Sequence, residues 1–510
     1  MHPDLQSGPG LSPPPVRTAR NIAWNYAGYG LQIGINIGLT WYIVRKVSVV
    51  EYGLFLFVMS LSSALYLLDM GISSVLVQAF VEAFTLGGKE RVNELLSTAF
   101  LALAALGALG ALILCGLAFF LPGPFKIPPP YVHEAFLIFI IAAFILQIGF
   151  PAMAIEQVYQ ASHRYDRTNQ AQLLSAALFL AFSILVLAMG YGIVALALVQ
   201  LAAAVVRLLL LTAALPATLP GFHLTLARFS WTRLKPLIHL SKWAFLGNLS
   251  ASLFDMLVWL MLGSLASMKE AALFGLAGKP AKQLWNLVDR GANVTLPLLS
   301  RAAADNELAS LRQTYLRTQK LVFGAILPFI VLGSIFARPL ILVWAGSNYR
   351  GAAVVMQWLL LAALSQALTY PADLLLYACG EVKRAAVISM CSSAISIVAA
   401  LLLVSRYGAA GLAAGMAVSQ LIFNCGWFMG AACRVSGASA GEVLHALLDG
   451  LQWPVAVLAA EIAFTLLFAT RMSAPGLVSA AVAAGLVYFA LWGLRTALPL
   501  YRGYTEVAAR

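Results

Sequence analysis

Lys279, Lys282 and Arg290 stand in an otherwise apolar stretch, spaced so that a helix carries all three on one side. At about 100° per residue, Gln283, Asn286, Asp289 and Asn293 join them within roughly 120° of one face. The remainder of the stretch is largely Leu, Val, Ala and Trp. In a membrane an Arg, Lys or Asp at helix centre costs about 2.5–3.5 kcal/mol. Four such groups on one helix are hard to explain as decoration. The plainer reading is that Asp289 pairs with Arg290, Lys282 or a neighbouring helix and ties a bundle. That leaves excess positive charge, so the face suits a hydrated, cationic cavity for an anionic ligand.

Weaker polar stripes recur elsewhere: Asn21, Asn25, Gln32 and Asn36; Ser62, Tyr66, Asp69 and Ser73; Ser241, Asn248, Ser252, Asp255 and Trp259; Gln366, Tyr370, Asp373 and Tyr377. Amides, hydroxyls and aromatics are the materials of sugar sites and also ordinary interhelical glue. Their recurrence on equivalent helices favours one shared cavity, in which Asn25, Gln32, Asn36, Tyr66, Asn248, Asn286, Asn293, Gln366 and Tyr370 form the polar lining. Asp69, Asp255, Asp289, Asp373 and Glu156 are acids in apolar surroundings, candidates for coupling transport to an ion gradient. The five cysteines form no CxxC pair, so neither a zinc site nor a disulfide framework is expected, and no cofactor motif is present.

The elements that must position these residues follow from composition. The chain has 510 residues, 61% hydrophobic and 10% charged. A soluble domain carries about 25% charged residues. A soluble enzyme, a nucleic-acid binder and a disordered protein are therefore poor fits, and an all-α integral membrane protein is expected. Runs of about 20 apolar residues place fourteen spans, at 21–44, 51–80, 93–121, 134–160, 168–190, 192–215, 236–263, 270–299, 314–343, 351–379, 385–405, 409–433, 450–470 and 474–494. The net charge of +12 reflects basic residues in loops on the side of the N-terminus. That bias puts both termini in the cytoplasm. Away from the span ends, the basic residues inside spans are Arg207, Lys279, Lys282 and Arg290. Short loops, such as Arg45 to Glu51, speak against a membrane glycosyltransferase or ligase, so a non-enzyme is expected.

The chain also resembles itself. Glu51-Tyr-Gly-Leu-Phe55 returns as Glu270-Ala-Ala-Leu-Phe274, and Leu68-Asp69-Met-Gly71 as Val288-Asp289-Arg-Gly291. Gln147, Pro151 and Tyr159 return as Gln366, Pro371 and Tyr377, and Tyr191-Gly192 as Tyr407-Gly408. An even repeat of six helices returns the chain to its starting side, so the halves share an orientation and relate by a pseudo-two-fold axis along the membrane normal. The expected organisation is a disordered cytoplasmic tail at 1–20, a six-helix bundle at 21–215, a cytoplasmic linker at 216–235, a second bundle at 236–433, and two added helices with a cytoplasmic C-terminus at 434–510. Facing bundles of this kind suit alternating access.

Asn21-x2-Trp24, Ile43-Val-Arg45-x5-Glu51-Tyr-Gly53, Asp69-Met-Gly71-Ile-Ser73, Gly380-Glu-x-Lys383-Arg384 and Tyr407-Gly-Ala-Ala-Gly411 carry a resemblance over about residues 17–435. They resemble the polysaccharide transporter (Wzx-type) branch of the multidrug/oligosaccharidyl-lipid/polysaccharide flippase superfamily. That resemblance implies an inner-membrane flippase for undecaprenyl-diphosphate-linked oligosaccharide. Lys279, Lys282 and Arg290 would meet the pyrophosphate, and the amide and tyrosine faces the sugars. Its implied partners are the lipid-linked glycan, the bilayer, a polysaccharide polymerase and other glycan-assembly proteins, with no nucleic acid. Many members of that branch have twelve helices. The lipid II flippase branch has fourteen but typically carries arginine where this first span has Asn and Gln. A cation-coupled multidrug antiporter is a further alternative, opposed by the positive face.

Overall fold

The computed structural model describes residues 34–69, 71–86, 88–120, 124–218, 229–293, 295–305, 307–449, 459, 463 and 474–492. Among them the chain is helical throughout and contains no strand. Eight helical segments there are long and apolar enough to cross a membrane. Expected spans 2 to 12 and 14 fall on helical segments, with span 8 (270–299) divided between residues 268–293 and 296–304 and span 9 (314–343) between residues 308–335 and 337–345, and span 1 is entered as α1 (34–46). The tail at 1–20 and nearly all of span 13 lie outside the described residues.

The first half contains α2 (Val49–Ala64), α3 (Ile72–Leu86), α4 (Gly88–Phe120), α5 (Val132–Ala161), α6 (Tyr165–Ala188) and α7 (Ile193–Thr218). A capping box starts α2: the Glu51 N–H donates to Ser48 Oγ at 3.1 Å, and the Ser48 N–H donates to Glu51 Oε2 at 2.6 Å. The expected second span does not run straight. A 3₁₀ turn at Leu65–Asp69 and a left-handed Gly71 at φ 75° separate α2 from α3. The central helix is α5, packed on α2, α3, α4 and α7.

The second half contains α8 (Trp231–Leu265), α9 (Met268–Asn293), α10 (Leu296–Ala304), α11 (Leu308–Ile335), α12 (Ala337–Ala345), α13 (Ala352–Ala378), α14 (Val382–Ser419) and α15 (Cys425–Ser436). Here α13 takes the central place of α5, packed on α9, α11 and α14. Spans 11 and 12 merge into α14, interrupted at Gly408 (φ 58°, ψ −140°). Pro151 and Pro371 lie within continuous helices. An amphipathic α16 (Ala440–Asp449) is tied to α11 by an Arg312–Glu442 ion pair. The last helix, α17 (Ala474–Trp492), packs on α11 and α12, with the Tyr488 hydroxyl donating to Gly324 O at 2.6 Å.

The repeated landmarks meet in space. Glu270 lies against Gly408, and its counterpart Glu51 lies beside Gly192. Across the halves, α2 and α9 cross so closely that a Cβ on Gly53 would run into Met268 O and approach Ala272 N to 3.1 Å. Each half's first helix also reaches the other half. Trp344 Nε1 donates to Ile37 O at 3.1 Å and Arg45 to Val343 O at 3.0 Å, while Lys126 Nζ donates to Leu265 O at 2.9 Å. These contacts gather at the end of the bundles that carries residues 45–51, the end the charge bias assigns to the outside.

Candidate functional site

The first part of α9 is apolar and covered all round: Ala271, Ala272, Leu276 and Ala277 are buried, and the helix packs on α2 and α13. Further along, Val288 and Ala292 stay buried. A different face of that part carries Lys282 and Asn293, both exposed, with Asn286 and Asp289 partly exposed between them. Among the described residues nothing covers Lys282 and Asn293, and polar groups left so within a membrane-spanning bundle meet water, since lipid would not solvate them.

The strongest polar constellation sits between α9 and α13. Asp289 Oδ1 accepts the Tyr370 hydroxyl at 2.5 Å and Asn293 Nδ2 at 3.0 Å. Asn293 Nδ2 also lies 3.1 Å from the Tyr370 oxygen. Trp285 meets the Tyr370 ring edge-on, centroids 5.0 Å apart. Trp285 escaped the sequence reading, although it stands one turn before Asp289 on the same face. Asp373 lies one turn after Tyr370 on α13, partly buried, with Tyr370 and Tyr377 as electrostatic neighbours. Gln366, partly buried, lies one turn before Tyr370.

The three cations do not act as one group. Lys282 is exposed and interacts electrostatically with Asp255 of α8, itself exposed. Lys279 is instead turned toward α1, where its Nζ donates to Thr40 Oγ1 at 2.5 Å. The side chain of Arg290 lies outside the described residues, as do Asn25, Gln32 and the side chain of Asn248. Asn36 is exposed on α1.

Two residues from the expected stripe on span 2 face inward. Because the 3₁₀ turn resets the helical phase, Tyr66 stacks on Phe150 of α5 with centroids 5.1 Å apart, its hydroxyl against Gly149. Asp69 caps α3, accepting the Ser73 N–H at 3.1 Å and the Ser73 hydroxyl at 2.5 Å. Glu156 is held by Arg207 of α7 at 2.6 Å. That pairing gives a partner to the one basic residue within a span to which the sequence assigned no role. Among the described residues no group of three or more His, Cys, Asp or Glu is placed to hold a metal ion.

Two helical halves that share a polar face on α9 define an all-helical, multi-span membrane protein. The chain belongs to the polysaccharide biosynthesis protein family, which it matches over residues 43–354. It is 22% identical over 482 residues to the uncharacterized membrane protein EpsK of Bacillus subtilis (strain 168), covering 92% of this chain and 93% of that one. Its fold resembles that of an inward-facing multidrug resistance MATE family transporter, with a TM-score of 0.68 at 16% identity, over 80% of this chain and 95% of that one. It also resembles the lipid II flippase MurJ in an inward closed conformation, with a TM-score of 0.66 at 12% identity, over 92% of this chain and 98% of that one.

Proposed function

We propose that this protein flips an undecaprenyl-diphosphate-linked oligosaccharide from the cytoplasmic to the outer leaflet of the inner membrane, by alternating access and for surface polysaccharide synthesis. The observation that carries the reading is the polar face of α9, which carries Lys282 and Asn286 and joins Asp289 and Asn293 to Tyr370 of α13. A diphosphate takes charge-assisted hydrogen bonds from lysine or arginine, the role of Lys282 and, in this reading, Arg290. Sugar hydroxyls suit a carboxylate and amides flanked by aromatic rings, the role of Asp289, Asn286, Asn293, Tyr370 and Gln366. The polyprenyl tail stays in lipid while the head group crosses. Asp289 on this face, Asp255 beside Lys282 and Asp373 one turn from Tyr370 are the candidates for ion coupling. Asp69 and Glu156, already engaged by Ser73 and Arg207, are weaker ones.

The test is reconstitution of the full chain in proteoliposomes with a fluorescent undecaprenyl-diphosphate-linked disaccharide. Transfer is read by quenching from one side. Wild type should transfer it, and Lys282→Glu should abolish transfer while inserting normally. Equal transfer by wild type and Lys282→Glu would remove the assignment.

A second reading, a lipid II flippase, comes from the fold shared with the lipid II flippase MurJ over 92% of this chain. Competition between lipid II and the disaccharide lipid in the same vesicles separates the two readings.

A further inference from the structure

Lys279 occupies an unusual place for a cation. Its Nζ donates to Thr40 Oγ1 at 2.5 Å, and the Thr40 hydroxyl donates in turn to Asn36 O at 2.7 Å. The ammonium also lies 5.8 Å from the centroid of the Tyr52 ring. Tyr52 meets Tyr349 edge-on at 6.2 Å, and the Tyr349 hydroxyl is buried with no partner among the described residues. Thr40, Tyr52 and Tyr349 are each 1% exposed. Thr40 and Tyr52 belong to the first half, Lys279 and Tyr349 to the second. The ammonium of the half-buried Lys279 therefore sits at the junction of the halves, with a neutral hydroxyl and a ring face as its company. No described charged group interacts with it.

A cation half withdrawn from water, with no counter-ion among the described residues, is costly, and a hydroxyl and a π-face repay only part of that cost. An anion within reach competes strongly for it. Such a position exists: Lys282 lies one turn further along the same face of α9, about 5 Å away along the axis.

We infer that Lys279 is an anion-released latch. While the site is empty, its bond to Thr40 holds α1 and α9 together at the 45–51 end. A diphosphate arriving at Lys282 draws the ammonium off Thr40, which frees the halves to part at that end. Transport is thereby tied to occupancy: the opening step waits for the charge of the head group. The inference rests on the reading that the α9 face accepts a diphosphate. It assigns Lys279 a positioning role, distinct from the simple ligand role that its spacing suggested.

The experiment measures the distance between spin labels at Lys46→Cys and Asn348→Cys, both exposed at that end and one on each half. It uses the full chain in nanodiscs, with the five native cysteines replaced. Inorganic pyrophosphate is the probe and chloride its control. Wild type should give one short distance, with a longer one appearing on addition of pyrophosphate. Lys279→Met, which keeps the packing and deletes the charge, should raise the ratio of long to short distance about tenfold without pyrophosphate, in line with loss of a charged hydrogen bond. It should then no longer respond to pyrophosphate. Thr40→Val should raise the same ratio and keep the response. A wild-type distance distribution in both variants, each eluting as folded protein, overturns the latch. A shift in Lys279→Met with no pyrophosphate response in wild type overturns release by an anion; calorimetric binding of pyrophosphate to wild type and not to Lys282→Glu then leaves the α9 reading standing, and no binding to either overturns that reading as well.

Discussion

Glu270 Oε2 accepts the backbone N–H of Ala409 at 2.8 Å, against the left-handed turn at Gly408 that breaks α14. The carboxylate thus fixes the start of span 8 to the junction of spans 11 and 12. Gly408 is required twice, by its φ of 58° and by a Cβ that would lie 2.6 Å from that same Oε2. Gly408→Ala should cost about 1–3 kcal/mol from strain and crowding together. Glu270→Gln, which keeps an acceptor, should cost less than Glu270→Ala. Thermal unfolding in detergent, read by intrinsic fluorescence, ranks the three.

Glu156 and Arg207 form a pair inside the first half, at 2.6 Å, with side chains 18% and 38% exposed. Removing one partner of a fully buried pair costs about 3–5 kcal/mol. Partial exposure puts this pair lower, at about 1–3 kcal/mol. Glu156→Gln and Arg207→Gln should each lower the melting temperature. The double variant should recover part of the loss, and strictly additive losses would show that the two side chains act independently.

Gly53 permits the crossing of α2 and α9, equivalent helices of the two halves. Gly53→Ala must push the backbone at Met268 away. The expected result is a looser 45–51 end, seen as a longer distance between labels at Lys46→Cys and Asn348→Cys, with a loss of stability of about 1–3 kcal/mol.

Tyr370→Phe removes the hydroxyl that Asp289 accepts at 2.5 Å and keeps the ring beside Trp285. A hydrogen bond to a charged group is worth about 1.5–3 kcal/mol, so transfer of the disaccharide lipid should fall roughly ten- to hundredfold if the same bond orders the site. The variant should still insert and unfold cooperatively. Unchanged transfer would show that the Asp289–Tyr370 contact serves packing alone.

Tyr488 anchors α17 through its bond to Gly324 O at 2.6 Å, amid Leu332 and Phe336. Tyr488→Phe should cost about 1 kcal/mol. Protease sensitivity of the C-terminal segment, with the rest of the chain intact, is the measurement.

What was legible in the sequence is what is local. Hydropathy and length set the spans, because a helix crossing lipid must satisfy its own backbone and present apolar side chains. The repeated Glu51 and Glu270, and Gly192 and Gly408, were readable as pairs because each keeps its place in an equivalent helix. The polar face of α9 was readable because an unbroken helix preserves phase from Lys282 to Asn293. Phase fails where the backbone resets. The 3₁₀ turn at Leu65–Asp69 set Tyr66 against α5 and left Asp69 as a cap on α3.

Partners across helices were decided by the tertiary structure alone. Spacing put Lys279 and Lys282 on one face, yet Lys282 stays exposed while Lys279 is spent on Thr40, 239 residues away in the chain. Arg207 had no visible partner until α5 and α7 packed and brought Glu156 to it. Spacing along a helix fixes which way a charge points. What waits there is fixed by how the two halves close.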